Sequence, residues 1–420
     1  MSDMSSMNRE SKKRQLRRQI VQSPPPPREE DSEEIIRKAR AKVRSRRLKI
    51  GMAVFFVLAA AGLGLYQYFR LYQYKEYKVV WEKEISEGSF VGYMDYGGNV
   101  LKYSKDGASY IDAQGKEIWM ESYEMKSPVA SVNGNYAAVA DQQGNSIYIF
   151  DKTGKTGVAT TLLPIVKITV SADQGMVAAV LEDSTANYIY FYKREGSVLD
   201  VKIKALLGGD TGFPVDISLS PDGTQLIGAY AYLKNGSING RVAFHNFAEI
   251  GKSIPDRLVG GFDEIYDSSL VARVHFLNNT YSCAFADNSI SFFSNKNALS
   301  PELIKQVVVE DEIRSVFYSD QYIGVIVNNF EGENPNRMEI YKPDGSLVLS
   351  QEFNFQYTHA DIDGEHIILY NEDSCRLYNM SGRLKFEGTF DFTILKIRNG
   401  RLPNTLIVTG PQNMKEIRLQ

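Results

Sequence analysis

From Tyr77 to the C-terminus, apolar residues come in short runs rich in Val, Ile, Tyr and Phe, many alternating with polar residues and separated by turn dipeptides. A period of two sends successive side chains to opposite faces, so these runs predict β-strands and no helix. Asp106-Gly107, Asn133-Gly134, Asp222-Gly223, Asp344-Gly345 and Asp363-Gly364 predict tight turns, because Asn, Asp and Gly tolerate the positive φ that hairpins require. The runs also recur at a coarser period. Units open near Phe90, Val129, Val166, Pro214, Val271, Ile313, Tyr357 and Ile394, mostly about forty residues apart, the length of a four-stranded propeller blade. The second unit divides into Val129–Val132, Tyr136–Ala140, Ser146–Phe150 and Gly157–Leu162.

Only three strands follow Thr393: Ile394–Ile397, Thr405–Val408 and Met414–Leu419. The missing fourth is expected at the other end of the domain. Val79-Val80-Trp81-Glu82 matches Glu117-Ile118-Trp119-Met120-Glu121, with the two tryptophans 38 residues apart. The fold expected is therefore all-β, a propeller of eight four-stranded blades closed by an N-terminal strand, with seven blades if one division is misplaced. Closure removes the open sheet edges that a linear array would leave.

Ahead of the strands lies one apolar run, Ile50 to Phe69, and about 20 residues of helix suffice to cross a ~30 Å hydrocarbon core. Arg44, Arg46, Arg47 and Lys49 stand directly before it. Basic residues stay on the cytoplasmic side, so residues 1–49 are expected inside and the propeller outside, held in the cell membrane of a bacterium by an uncleaved signal anchor. A cleaved signal peptide ending near Ala59–Ala61 is the competing reading, against which the long leading segment argues. The expected organisation is a disordered basic tail over 1–30, broken by Pro24–Pro27, and a basic helix over 31–49. A membrane span over 50–69, a linker over 70–77 and the propeller over 78–420 follow.

The net charge of −3 conceals two opposed parts. Residues 1–49 carry 15 Lys+Arg and 7 Asp+Glu, while the remainder carries 33 and 44. A basic tail suits anionic headgroups; an acidic domain repels a phosphate backbone, which excludes general nucleic-acid binding. Cys283 and Cys375 fall in different units and are expected as buried thiols.

The segment Ala108-Ser109-Tyr110-Ile111-Asp112-Ala113-Gln114-Gly115-Lys116-Glu117-Ile118-Trp119 resembles the repeat of quinoprotein-like propellers, in which an Asp-x-x-Gly-Lys turn leads into a Trp-bearing fourth strand. Ser220-Pro221-Asp222-Gly223 is similar to the turn between the first two strands of WD40- and TolB-type blades. The layout of basic tail, anchor and propeller resembles single-pass membrane proteins of clostridial bacteria known by a domain-of-unknown-function label. These resemblances imply a fold and leave the activity open.

The chemistry of a quinone enzyme is not expected: adjacent cysteines are missing, and Trp81 and Trp119 fall on outer strands, where blade packing accounts for them. His245, His275, His359 and His366 lack the pairwise spacing of a zinc site. No cofactor or metal is therefore expected. His359, Asp361 and Asp363 form the densest polar cluster on an inner strand, where alternation sends all three to one face, and they are expected to wall the channel. The loops Leu233–Gly240 and Phe330–Asn336 are the longest hairpin excursions and the expected contact loops. The preferred function is a non-catalytic binding or scaffold module for an envelope protein, a wall polymer or a small ligand. A glycan-active hydrolase or lyase and a transmembrane signalling protein are the alternatives.

Overall fold

A computed structural model of the chain describes residues 10–17, 29–85, 90–206, 211–234 and 236–420. The chain divides into two units, residues 1–72 and 73–420. In the first, Glu29–Leu71 is one unbroken α-helix, α1. Glu34 pairs with Lys38 at 2.7 Å one turn on, an arrangement that supports a solvated helix. Within α1, Ile36–Tyr68 is long and apolar enough to cross a membrane, and Phe55 and Phe56 are both about two-thirds exposed. Arg44, Arg46, Arg47 and Lys49 lie exposed on the same helix. Residues 10–17 are also helical, within the segment expected to lack structure; Glu, Lys, Arg, Gln and Leu are good helix formers, and the composition argument overlooked this. The Pro24–Pro27 run lies outside the described residues.

The second unit is a ring of eight antiparallel four-stranded sheets. Seven blades are consecutive meanders. The eighth joins Lys396–Asn399, Thr405–Thr409 and Asn413–Leu419 to Tyr77–Glu84, which becomes its outermost strand. Tyr77 lies opposite Leu419 and Glu84 opposite Asn413, so both ends of the domain lock one blade. We number the blades 1 to 8 from Phe90. The turn assignments hold at Gly134, Gly223, Gly345 and Gly364, all with positive φ. Asp106-Gly107 differs: Gly107 already belongs to a strand, and the Ser104 hydroxyl oxygen accepts the backbone N–H groups of Asp106 and Gly107.

The middle strands of each blade are the core. Ala137–Ala140, Val177–Leu181 and Val325–Val327 are almost wholly buried, because these strands are covered on both faces by neighbouring blades. Trp119 stacks on Phe150 of blade 2 with ring centroids 4.9 Å apart, and the Trp81 indole N–H donates to Glu416 at 2.6 Å. Both tryptophans therefore pack blades. Cys283 and Cys375 are fully buried thiols on blades 5 and 7. The Leu233–Gly240 excursion is not a loop: it continues the hairpin ladder, with Leu233 opposite Ile238 and Lys234 opposite Ser237. Three short 3₁₀ turns, Glu249–Gly251, Pro255–Arg257 and Glu264–Tyr266, supply the rest of blade 4's extra length.

Candidate functional site in the axial channel

The innermost strand of each blade borders the axis, and a recurring irregularity decides which side chains reach it. The ladder slips by one residue between Ile165 and Lys167, Pro214 and Asp216, Val271 and Arg273, and Ile313 and Ser315. A bulge inserts one residue and re-aims those that follow. Lys167, Asp216, Arg273 and Ser315 thus stand at matched positions on blades 3 to 6. Backbone N–H groups of one inner strand donate to side chains of the strand before it. Asp216 Oδ2 accepts from Val274 at 2.9 Å, Ser218 Oγ from Phe276 at 3.0 Å, and Asp363 Oδ2 from Asn399 at 2.6 Å. The same spacing places Asp361 and Lys396 at the matched positions of blades 7 and 8.

Around blades 3, 4, 5, 7 and 8 this ring reads Lys167, Asp216, Arg273, Asp361, Lys396, with charge alternating in sign. Lys167 pairs with Asp216 at 2.5 Å, and Lys396 reaches both Asp361 of blade 7 and Asp95 of blade 1 at 3.0 Å. Tyr370 OH donates to Asp361 Oδ2 at 3.2 Å. Burial alone would depress the Lys396 pKa, but the two carboxylates outweigh it and hold the ammonium above the ordinary lysine value. Two residues on, Arg398 is 7 % exposed and donates through Nη1 to the Gly98 carbonyl. That carbonyl belongs to a turn in which Gly97 and Gly98 both have positive φ, a conformation that favours glycine.

The channel widens into a cavity of about 850 Å³ at the end where the inner strands begin. Arg273, Arg314, His359, Asp361, Tyr370 and Lys396 are among its walls. The His359 ring stacks on Tyr370 at 4.9 Å, nearly parallel. A second cavity of about 360 Å³ includes Lys167, Asp216, Arg273, His275 and Tyr318. There His275 stacks on Tyr318 at 3.9 Å, and burial, reinforced by the Arg273 charge, lowers its pKa to about 3. Of the three residues singled out on blade 7, His359 and Asp361 share the larger cavity, while Asp363 joins blade 7 to blade 8 through Asn399. The other histidines have structural settings: His245 Nδ1 lies 3.1 Å from the Asp256 carbonyl and His366 Nδ1 2.9 Å from Asn399 Oδ1. Sequence reasoning missed Lys167, Asp216, Arg273, Arg314 and Lys396. Each lies in or beside an expected inner strand; simple alternation fails across the bulges of blades 3 to 6, while the Lys396 ladder is unslipped and only the closed ring brings its carboxylates to it.

A family model described as a family of unknown function, DUF5711, matches residues 70–419. The chain belongs to that family. No curated protein matches the DUF5711 chain in sequence. Among solved structures it is similar to BamB from Moraxella catarrhalis, at 11 % identity and TM-score 0.49, covering 82 % of this chain and 100 % of that one. It is also similar to Kuenenia stuttgartiensis hydrazine synthase, at 12 % identity and TM-score 0.44, covering 79 % and 95 %. The Neurospora crassa Pan2 WD40 domain matches at 10 % identity and TM-score 0.41, covering 70 % and 88 %.

Proposed function

We propose that this DUF5711 chain is a membrane-tethered propeller that binds a partner or ligand in the cell envelope without transforming it. In this reading α1 is a signal anchor in a bacterial membrane, residues 1–49 are cytoplasmic, and the propeller is extracytoplasmic. The supporting observation is the way charge is used in the channel. The carboxylates of Asp216 and Asp361 are engaged by Lys167 and Lys396, an arrangement suited to a rigid wall rather than to proton transfer, which calls for groups poised near the operating pH. The contact surface is the end of the ring that holds the wide cavity. Strands alternate in direction within each blade, so the hairpins joining second and third strands open at that end. The extended hairpin of blade 4 and the Phe330–Asn336 excursion of blade 6 are both of this kind, and Phe330 is 77 % exposed.

The test is crosslinking of the full-length protein in its native membrane beside a variant lacking residues 78–420. An envelope component recovered only with the propeller supports the reading. Turnover of glycan by the purified protein with no such component overturns it in favour of a hydrolase. Placement is tested separately: cysteine labelling from outside should reach residues of the propeller and not of 1–49, and the reverse pattern would sink the proposed topology.

A further inference from the structure

The wide cavity has an imbalance that its formal charge hides. Three cations, Arg273, Arg314 and Lys396, face three carboxylates, Asp287, Glu312 and Asp361. The acceptors are engaged: Asp361 by Lys396 and Tyr370, Asp287 by the Ser269 hydroxyl, and Glu312 by the Asn328 amide. The donors are not. Arg273 follows Asp216 in the alternating ring, but that carboxylate is already paired with Lys167, and the Arg273 guanidinium makes no ion pair or side-chain hydrogen bond among the described residues. Arg314, on the adjacent blade, donates only Nη1, to the neutral Asn336 oxygen at 3.1 Å. Arg273 and Arg314 therefore present guanidinium forks without a carboxylate partner in this cavity, and such planar forks match a carboxylate.

Resting on the binding-module reading, we propose that the wide end of the axial channel is a site for a small molecule bearing a carboxylate, gripped by Arg273 and Arg314. The cavity volume falls in the range of about 300–1,000 Å³ typical of small-ligand sites. Phe285, Val316 and the stacked pair His359 and Tyr370 offer the carbon skeleton an apolar or ring-shaped wall. The carboxylates around the rim oppose a ligand of high negative charge, which favours one carboxylate over a polyphosphate.

Titration calorimetry on the full-length protein in nanodiscs tests this with benzoate, glucuronate, glucose and inorganic phosphate as probes. Saturable binding of benzoate or glucuronate, with glucose silent, is expected, and the active probe of the two identifies an aromatic or a sugar acid. Arg273→Met should weaken that binding tenfold or more with the unfolding midpoint unchanged, since Arg273 is exposed and makes no bond to lose, and Arg314→Met should weaken it as well. No saturable binding by either acid, an unchanged affinity in Arg273→Met, or phosphate binding as tightly as the acids overturns the site. If the acids fail while crosslinking still recovers an envelope component, the carboxylate site falls and the binding module stands. If both fail, the module falls too.

Discussion

The seam between blades 2 and 3 and the seam between blades 8 and 1 do the same work with different materials. The first buries thirteen residues in one apolar cluster, among them Ile147, Ile149, Val170 and Leu181. The second buries only Ile85, Val100, Ile111, Ile407 and Met414 among the described residues, with Trp81 and Tyr93 packed against them. Hydrogen bonds such as Val170 N–H to Ser131 Oγ cross the first seam, whereas the second is also clasped by an ion pair. Lys396 bridges to Asp95, Arg398 donates to Gly98, and within blade 8 Trp81 and Lys415 bond to Glu416 and Glu82 across the closing strand. Blades 2 and 3 are neighbours in sequence and assemble from local hairpins. The closing blade unites segments more than 300 residues apart, so it must overcome a larger loop-closure entropy, and directional bonds also fix its register.

This contrast can be broken at several strengths. Ile149 is fully buried in the large seam, so Ile149→Asp places an unpaired charge in the core and should cost about 4 kcal/mol or more in urea unfolding, with loss of protection spread over blades 2 and 3. Lys396→Met leaves Asp95 and Asp361 facing each other without their cation and should cost about 2 kcal/mol, less than for a fully buried pair because both carboxylates reach water. Its signature should be local, with faster hydrogen exchange over Lys396–Asn399 and Phe90–Tyr96, the inner strands the bridge joins, and none of the spread expected for Ile149→Asp. Lys396 has a raised pKa in the folded state, so the clasp is fully present below the unfolded lysine value of about 10.4 and is lost as pH rises through the folded value. The gap between wild type and Lys396→Met should therefore narrow at alkaline pH, and a constant gap would show that the charge is not what matters.

Between these extremes, His275 on blade 5 is held neutral by burial, with its pKa near 3. The unfolded chain takes up this proton near pH 6.5, so the contribution is complete above that value and declines as pH falls toward 3. His275→Phe, which retains the stack on Tyr318, should flatten that acid limb when unfolding is compared at pH 7 and pH 4. The smallest effect is expected for Trp81→Phe, which removes the 2.6 Å bond to Glu416 and should cost about 1 kcal/mol, again read as faster exchange along the closing strand.

Period-two patterning, the turn dipeptides and the matching tryptophan segments were enough to read all eight blades and the closure, because blade formation is governed by local hairpins whose register each strand declares. Ile50–Phe69 likewise announced an apolar helix, since length and composition alone decide whether a segment can cross a bilayer. The candidate site was legible only in part. His359 and Asp361 were readable because blade 7 has an unslipped inner-strand ladder, where alternation counts correctly. Arg273, Lys167, Asp216 and Lys396 were not. Bulges shift the facing residue on blades 3, 4 and 5, and which charge neutralises which depends on blades meeting around an axis. A carboxylate's partner across the ring is set by closure geometry and not by any spacing along the chain. Tertiary structure alone therefore decided that Asp361 belongs to Lys396, that Asp216 belongs to Lys167, and that Arg273 has no carboxylate partner among the described residues.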